Sequence, residues 1–415
     1  MDILILNTYD LKGGASRAAY RLHKGFQQIG HNSQMLVQVK YGDDCNVIGS
    51  NSIIEKGLGM VRPYLDTIPA RLHSKWNKTL FSTAFLSKKI DDKVIKIDPE
   101  IISLHWIVGG FIAPKTLKKL NKPLVWTLHD SWAFTGGCHI PFNCKHYTKS
   151  CGKCPTLGSS KNHDLSRLIW YRKKRNWKNL NITIVTPSRW LCECAQSSSL
   201  FQDYRIEVIP NGLDLQIYKP VEKRIARNIL GFPEDKKLIL FGAMYSTSDP
   251  NKGFHLLQSA LQNLSKNGWT QEIELIIFGA SEPANPPNLY FESHYLGHLH
   301  DDVSLSILYS AADVMIVPSI QEAFGQTALE AMACGTPVVA FGATGLLDIV
   351  DHKITGYLAK PYDPIDLARG IEWILEDDKR WEKLSIKSQE KITQEFDIEI
   401  IAQKYVELYQ EILKS

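Results

Sequence analysis

The sequence predicts an α/β protein made of two domains, each carrying a parallel sheet. Three observations carry that expectation. Short apolar runs alternate with longer helical stretches through both halves, the pattern of strand–helix–strand crossovers. At 415 residues the chain is long enough for two or three hydrophobic cores. The charge also changes sign along it. Residues 1–205 hold 30 Lys and Arg against 14 Asp and Glu, whereas residues 206–415 hold 18 against 30. The expected domains are therefore 1–205 and 206–396, the first basic and the second acidic. An excess of +16 on one half suits an anionic partner, either a bilayer surface or nucleic acid.

No run of 18 apolar residues exists, so no segment reads as membrane-spanning. The opening MDILILNTYD carries Asp2 and no basic leader, so it reads as a first buried strand, and a cytoplasmic location is expected. After DILIL (2–6), Gly13-Gly14-Ala15 opens a helix that runs to about Gln28. Strand, glycine turn and helix form a phosphate-binding arrangement, although a plain tight turn reads the same way. QMLVQV (34–39) is the second strand. Residues 53–97 are basic and studded with large apolar residues, among them Arg62, Tyr64, Arg71, Trp76, Phe81, Phe85, Lys88 and Lys89. They suit either a surface that lies on a membrane or amphipathic helices with a solvated basic face.

IISLHW (101–106) and PLVWTLHD (123–130) are the next strands. The second ends in His129-Asp130, at the carboxyl end of a buried strand, where open α/β sheets bind ligands. There follows GGCHIPFNCKHYTKSCGKCP, with Cys138, Cys144, Cys151 and Cys154 inside 17 positions. Four cysteines ending in Cys-x-x-Cys suit a structural zinc with all four positions filled, His139 and His146 being substitute ligands. Free or disulfide-bonded thiols are the alternative. RLIWYRKKRNWK (167–178) interleaves six basic and three aromatic residues, and ITIVTPSRW (182–190) closes the half with a strand and a turn. Asn211-Gly212 turns the chain where the charge changes sign, a natural crossover between domains.

A second α/β pattern starts at 236. KKLILFGAM, a helix over 254–265, ELIIFGA, a helix over 303–311 and VMIVPS follow in turn. Lys252, just ahead of the 254–265 helix, is placed to neutralise a diphosphate as a point charge. YLGHLHDD (295–302) follows a strand. The stretch VPSIQEAFGQTALEAMACGTPVVAF (317–341) then passes from strand through loop into a helix near Phe324-Gly325, stopped by Gly335 and Pro337. The amides of Phe324, Gly325, Gln326 and Thr327 offer a phosphate seat. Glu322 precedes it and Glu330 lies roughly 10 Å further on if most of the spacing is helical. One carboxylate suits sugar hydroxyls and the other a ribose diol. Two solvated glutamates are the plain alternative, but TAL, AMACG and VVAF around Glu330 read as core.

This stretch closely resembles the donor-site signature of the retaining glycosyltransferases of family 4, and the cysteine segment resembles a colanic-acid or exopolysaccharide subgroup. The resemblance covers most of the chain. It implies the GT-B fold, two Rossmann-like domains with a cleft between them, and a last helix over 397–413 that returns to the first domain. It implies transfer of a sugar from a UDP- or GDP-sugar to a hydroxyl on a glycan or polyprenyl-linked acceptor, with retention, no catalytic metal and no nucleic acid. By the same resemblance Glu322 orients the sugar, Glu330 holds the nucleotide ribose, and His129 contacts the sugar. Asp130 lies toward the acceptor, or else caps the turn that follows it, and Gly13 and Gly14 lie beside the diphosphate. His298 and Leu299 present backbone to the base, and Asn211 and Gly212 form the hinge. The family pairs Lys252 with an arginine after the first strand of this half; here that position is Ala243, with Arg17 as a candidate replacement. The missing arginine also favours a competing reading, an inactive nucleotide-sugar-binding scaffold at the membrane surface.

Overall fold

The computed structural model describes residues 1–50 and 52–414. The chain forms two compact units, Met1–Gly212 together with the segment from Glu399 onward, and Leu213–Ile398. In the first unit the elements run β1 (Asp2–Tyr9), α1 (Gly14–Gln28), β2 (Asn32–Val39), β3 (Val47–Ile48), α2 (Ile53–Arg71), α3 (Asp91–Ile97), β4 (Ile101–Leu104), β5 (Leu124–Thr127), α4 (Leu165–Trp177), β6 (Ile182–Thr186), α5 (Arg189–Gln196) and β7 (Ile206–Val208). The second unit contains α6 (Lys223–Leu230), β8 (Lys237–Gly242), α7 (Phe254–Lys266), β9 (Ile273–Phe278), β10 (Glu292–Tyr295), α8 (Asp302–Ala311), β11 (Val314–Val317), α9 (Gln326–Ala333), β12 (Val338–Phe341), β13 (Gly356–Ala359), α10 (Pro364–Leu375) and α11 (Asp378–Glu395). The chain ends in α12 (Ile398–Lys414).

Both sheets are parallel throughout. The first has the order β3-β2-β1-β4-β5-β6-β7 and the second β10-β9-β8-β11-β12-β13. Their strands are nearly continuous apolar runs because both faces are covered. In β8, Leu238 and Leu240 enter one core layer while Ile239 and Phe241 enter the other, and β11 divides in the same way. Each strand order reverses once, between β1 and β4 and between β8 and β11. Such a reversal splits the crossovers to opposite faces and opens a crevice at the carboxyl ends of the strands.

The domain boundary expected at 205/206 lies later. β7 pairs with β6 in the first sheet, Ile184 opposite Ile206, so the first unit extends to Gly212. Strand pairing decides this against the change in charge, which follows surface composition. α12 belongs to the first unit, where Ile401, Ala402, Tyr405 and Tyr409 pack with Phe26 and Val125. Among the described residues no helix is long and apolar enough to cross a membrane.

One helix departs from the burial pattern. α2 buries Gly59, Asp66 and Ala70, and leaves Ile54, Leu58, Val61, Leu65 and Ile68 exposed. Their spacing of four and three residues makes an apolar stripe along its outer side.

Candidate functional site

The second unit's candidate site forms where β8 and β11 diverge. Lys252 stands in the loop after β8 and Glu322 in the loop after β11. Lys252 Nζ meets Glu322 Oε1 at 2.6 Å, with both side chains about one-fifth exposed. Burial opposes the lysine's charge, but the Glu322 carboxylate outweighs it and raises the pKa. Asn251 holds the two loops together. Its side-chain amide donates to Gln321 O at 2.8 Å, its Oδ1 accepts from Gln321 N at 3.0 Å, and its carbonyl accepts from Ile320 N at 2.8 Å. The loops also need Gly253, at φ +70°, because a Cβ there would lie 1.8 Å from Pro318 O.

α9 begins at Gln326, beyond the short loop that carries Glu322, Ala323 and Phe324. Its N-cap, Gly325, has φ +121° and no side chain caps the helix. A Cβ on Gly325 would lie 2.7 Å from Leu346 Cδ2. The first-turn amides of Gln326 and Thr327 thus sit at a helix end with no acidic residue in its first turn, a seat for a phosphate. Phe324, by contrast, puts its ring into the core against Phe396. Because the helix starts at Gln326, Glu330 is little more than one turn inside it. Glu330 is buried and accepts from Tyr309 Oη at 2.8 Å. His298 is exposed, edge-on to Tyr245, and Leu299 packs on the core. Ala243 and Met244 open the loop that contains Tyr245.

The first unit's candidate site lies where β1 and β4 diverge. Asn7 donates to Ser16 at 3.0 Å and accepts from Trp106 N at 2.7 Å, fixing the turn in which Gly13, at φ +92°, starts α1. Arg17 lies one turn into α1. His129 follows β5, and its Nε2 is 2.9 Å from Nδ1 of His105, which follows β4. The rings stack at 5.2 Å. His105 Nε2 lies 3.2 Å from Ser103 Oγ, which accepts from Tyr409 Oη at 2.9 Å. Burial drives the pKa of His105 well below the ordinary range and that of His129 down to about 4, so both rings are neutral at pH 7. The direction of donation then follows. Tyr409 donates to Ser103, Ser103 to His105 Nε2, and His105 Nδ1–H to His129 Nε2, which leaves the His129 proton on Nδ1.

Asp130 is held by three donors, Trp106 Nε1 at 2.8 Å, Trp132 N at 2.8 Å and His139 Nδ1 at 2.7 Å. Burial pushes its carboxyl up, but His139 and these donors prevail and lower it. It therefore braces the loop after β5. His139 also reaches Ser82 Oγ at 2.9 Å through Nε2, so both ring nitrogens are engaged and it is not a spare metal ligand. His146 Nδ1 bonds Gly152 O at 3.0 Å. Cys138, Cys144, Cys151 and Cys154 are free thiols, with Cys138 and Cys154 buried beside Phe81 and Ile169. Among the described residues no three of their sulfurs lie within 4.8 Å of one another. Asn211 and Gly212 are buried at the end of the first unit.

Sequence reasoning passed over three features. His105 carried a signal, a histidine ending the strand beside that of His129. The Tyr309–Glu330 bond joins α8 to α9 and left no motif. Glu274, Glu292 and His294 gather at the β9–β10 edge because Glu274 and Glu292 pair across the strands; His294 Nε2 meets Glu274 Oε2 at 2.7 Å.

The model for Glycosyltransferase Family 4 matches residues 12–217, and that for Glycosyl transferases group 1 matches residues 222–391. Among curated proteins, an uncharacterized glycosyltransferase of Methanocaldococcus jannaschii is 27% identical over 289 residues, covering 66% of this chain and 70% of that protein. The D-inositol 3-phosphate glycosyltransferase of Xylanimonas cellulosilytica is 34% identical over 199 residues, 44% of this chain. The match spans 45% of that relative's length. Among solved structures, sucrose-phosphate synthase from Thermosynechococcus elongatus aligns over 100% of both chains with a TM-score of 0.70 and 20% identity. An Anabaena protein solved with UDP-glucose aligns over 99% of both, with a TM-score of 0.63 and 19% identity. At these identities the structures establish the fold, two Rossmann-like domains of GT-B type.

Proposed function

The chain is a glycosyltransferase of the family 4 type, and from that premise we propose that it moves a sugar from a nucleoside diphosphate sugar to a hydroxyl with retention at the anomeric carbon. The observation that carries this reading is the Lys252–Glu322 pair beside the uncapped start of α9. An arriving diphosphate takes over Lys252 and the first-turn amides, and Glu322 is released to accept hydrogen bonds from sugar hydroxyls. The donor diphosphate carries the charge that Lys252 needs, so no divalent cation is called for. Glu330, already braced by Tyr309, takes the ribose diol.

The C–O bond to the diphosphate breaks as the acceptor oxygen bonds to the same face of the anomeric carbon. A leaving phosphate oxygen receives the acceptor's proton. Glu322 stabilises positive charge developing on the sugar. His129 Nδ1–H donates to a sugar hydroxyl, its tautomer set by His105. The ligand named with the Anabaena protein, UDP-glucose, supports a nucleoside diphosphate sugar as donor.

The acceptor is a glycan, or a sugar on a polyprenyl carrier, in the building of a surface polysaccharide on the cytoplasmic side of an anionic membrane. The stripe on α2 supports that setting, with Lys56, Arg62 and Arg71 on the same helix. An open groove of about 740 Å³ nearby is lined by His73, Lys75, Lys161, His163 and Arg167, groups suited to anionic head groups.

The test is donor hydrolysis and transfer across a panel of UDP- and GDP-sugars, with Glu322→Ala alongside and with chelator present. One donor turned over by the wild type, not by the variant and regardless of chelator, is the expected result. Binding of a donor without turnover, with or without acceptor glycans, would favour the scaffold reading that Ala243 suggests. Neither binding nor turnover would overturn the donor site.

A further inference from the structure

We propose that Glu274, Glu292 and His294 bind one zinc ion at the β9–β10 edge, and that the ion clamps this edge strand to the rest of its sheet.

All three side chains come from strands. β9 and β10 run parallel, with Glu292 opposite Glu274 and His294 opposite Ile276. Residues two apart on a strand share a face, so the three project from the same side of the sheet. One donor atom from each, two carboxylate oxygens and an imidazole nitrogen, lies within 4.8 Å of the other two. Among the described residues no other three His, Cys, Asp or Glu gather in this way. Bonds of about 2.0–2.2 Å in a tetrahedron set the donor atoms about 3.4 Å apart, so small side-chain rotations complete the site. Strand positions hold ligands near that geometry before an ion arrives.

Burial separates this cluster from an ordinary acidic patch. The Glu274 side chain is only 9% exposed. Leu238, opposite it on β8, and Ile276, two residues on, both belong to the core. A carboxylate taken out of water needs a cation or hydrogen-bond donors. Glu274 Oε2 has His294 Nε2 at 2.7 Å, but among the described residues no lysine or arginine pairs with Glu274 or Glu292. Two carboxylates at facing positions also repel each other, and one imidazole cannot neutralise both.

A divalent ion does so. In the loaded site the imidazole is neutral, its proton on Nδ1 and the Nε2 electron pair on the ion, so two carboxylates and Zn²⁺ sum to zero. An imidazole among the ligands selects a zinc-type ion over magnesium or calcium, which prefer oxygen throughout. Three protein ligands leave a fourth position for water on the side of Glu292, which is exposed. The Phe232 ring, 5.5 Å from that of His294, walls the site.

The centre stands apart from the sugar-transfer site. Glu274 and Glu292 lie at the amino ends of their strands, whereas Lys252, Glu322 and α9 gather beyond the carboxyl ends of β8 and β11. The ion therefore takes no part in the reaction. β10 is a four-residue edge strand paired only with β9, and its chain runs on to His298 and Leu299. A bridge from Glu274 to Glu292 and His294 pins that strand from the side chains as well as the backbone.

The experiment is zinc titration of the full chain, with zinc chloride alone, alongside Glu292→Gln and His294→Gln. All three chains keep the eight cysteines, so thiol-bound metal cancels in the comparison. The wild type should hold one more zinc per chain than either variant. Loss of a ligand should weaken that site by more than the roughly 10- to 100-fold that loss of a supporting partner costs. Zinc should raise the unfolding midpoint of the wild type further than that of the variants. The wild-type-minus-variant cobalt spectrum should show ligand-field bands without thiolate charge transfer, and far-UV circular dichroism should match in all three. Equal zinc content in the three chains would overturn the site. A loss confined to one variant would overturn the three-ligand assignment.

Discussion

Replacing His105 with phenylalanine tests the tautomer assigned to His129. The substitution keeps an aromatic ring stacked at 5.2 Å but deletes the Nδ1–H that reaches His129 Nε2 at 2.9 Å. It leaves a buried acceptor without its donor, a loss of about 1–3 kcal/mol. If His129 must offer Nδ1–H to the sugar, that loss becomes a fall of roughly 5- to 160-fold in kcat/KM for the donor found in the panel. A fall in kcat with KM held would mean that the bond is used in the transition state. ¹⁵N spectra of the His129 ring at neutral pH give the second readout. The wild type should be protonated at Nδ1, and the variant should populate both tautomers. Tyr409→Phe, two links further away, should have a smaller effect in the same direction, because it removes one donor to Ser103 at 2.9 Å. A His105→Phe chain with wild-type kcat/KM and a His129 ring still protonated only at Nδ1 would refute the relay.

Two further outcomes follow from the same structure. Gly325→Ala places a side chain at φ +121° and a methyl group 2.7 Å from Leu346, so it should cost about 1–3 kcal/mol in denaturant unfolding and weaken donor binding by shifting the start of α9. Acid should destabilise the first unit well before the carboxylates titrate. His23 has a fully buried side chain, and burial, only partly opposed by Asp44, lowers its pKa to about 4. The folded state therefore binds fewer protons than the unfolded state between about pH 6.5 and 4, and stability falls as pH drops through that window. At pH 5 the loss from His23 is about 2 kcal/mol. His129 shifts in the same direction, and a melting temperature that stays flat from pH 7 to 5 would contradict both assignments.

Much of the fold was legible because both sheets are buried on two faces, which turns their strands into apolar runs that stand out from the helices. The runs at 2–6, 34–39, 101–106 and 123–130 each contain the core of a strand. β7 was assigned to the wrong unit because its three residues, Ile206–Val208, are a half-exposed edge whose partner is set by pairing. In the site, Glu322, Lys252 and Gly325 were readable from their place around the start of a helix. Their mutual ion pair was not, since 70 residues separate Lys252 from Glu322 and only the reversal of strand order brings their loops together. Glu330 reads from sequence as an open ligand group, yet it already accepts from Tyr309; Asp130, which reads as an acceptor contact or a turn cap, takes the Trp132 amide and two donors the sequence does not show, Trp106 and His139. Partners of that kind come from neighbouring elements and leave no spacing to read.

The position of α12 has a consequence for how the protein is made. The chain leaves the first unit at Gly212 and re-enters it at Glu399, and at the crossing Leu213 N–H donates to Phe396 O while Ile398 N–H donates to Leu213 O. A ribosome therefore delivers the whole of the second sheet before it delivers Tyr405 and Tyr409. Until then Phe26 lacks two aromatic neighbours, Thr127 lacks the Tyr405 hydroxyl, and Ser103 lacks the Tyr409 hydroxyl. A nascent chain that stalls before residue 399 holds a complete second unit and an unfinished first one. The hydrogen-bond relay to His129 is closed only by α12, so full assembly of the first unit's site waits on synthesis of the second unit.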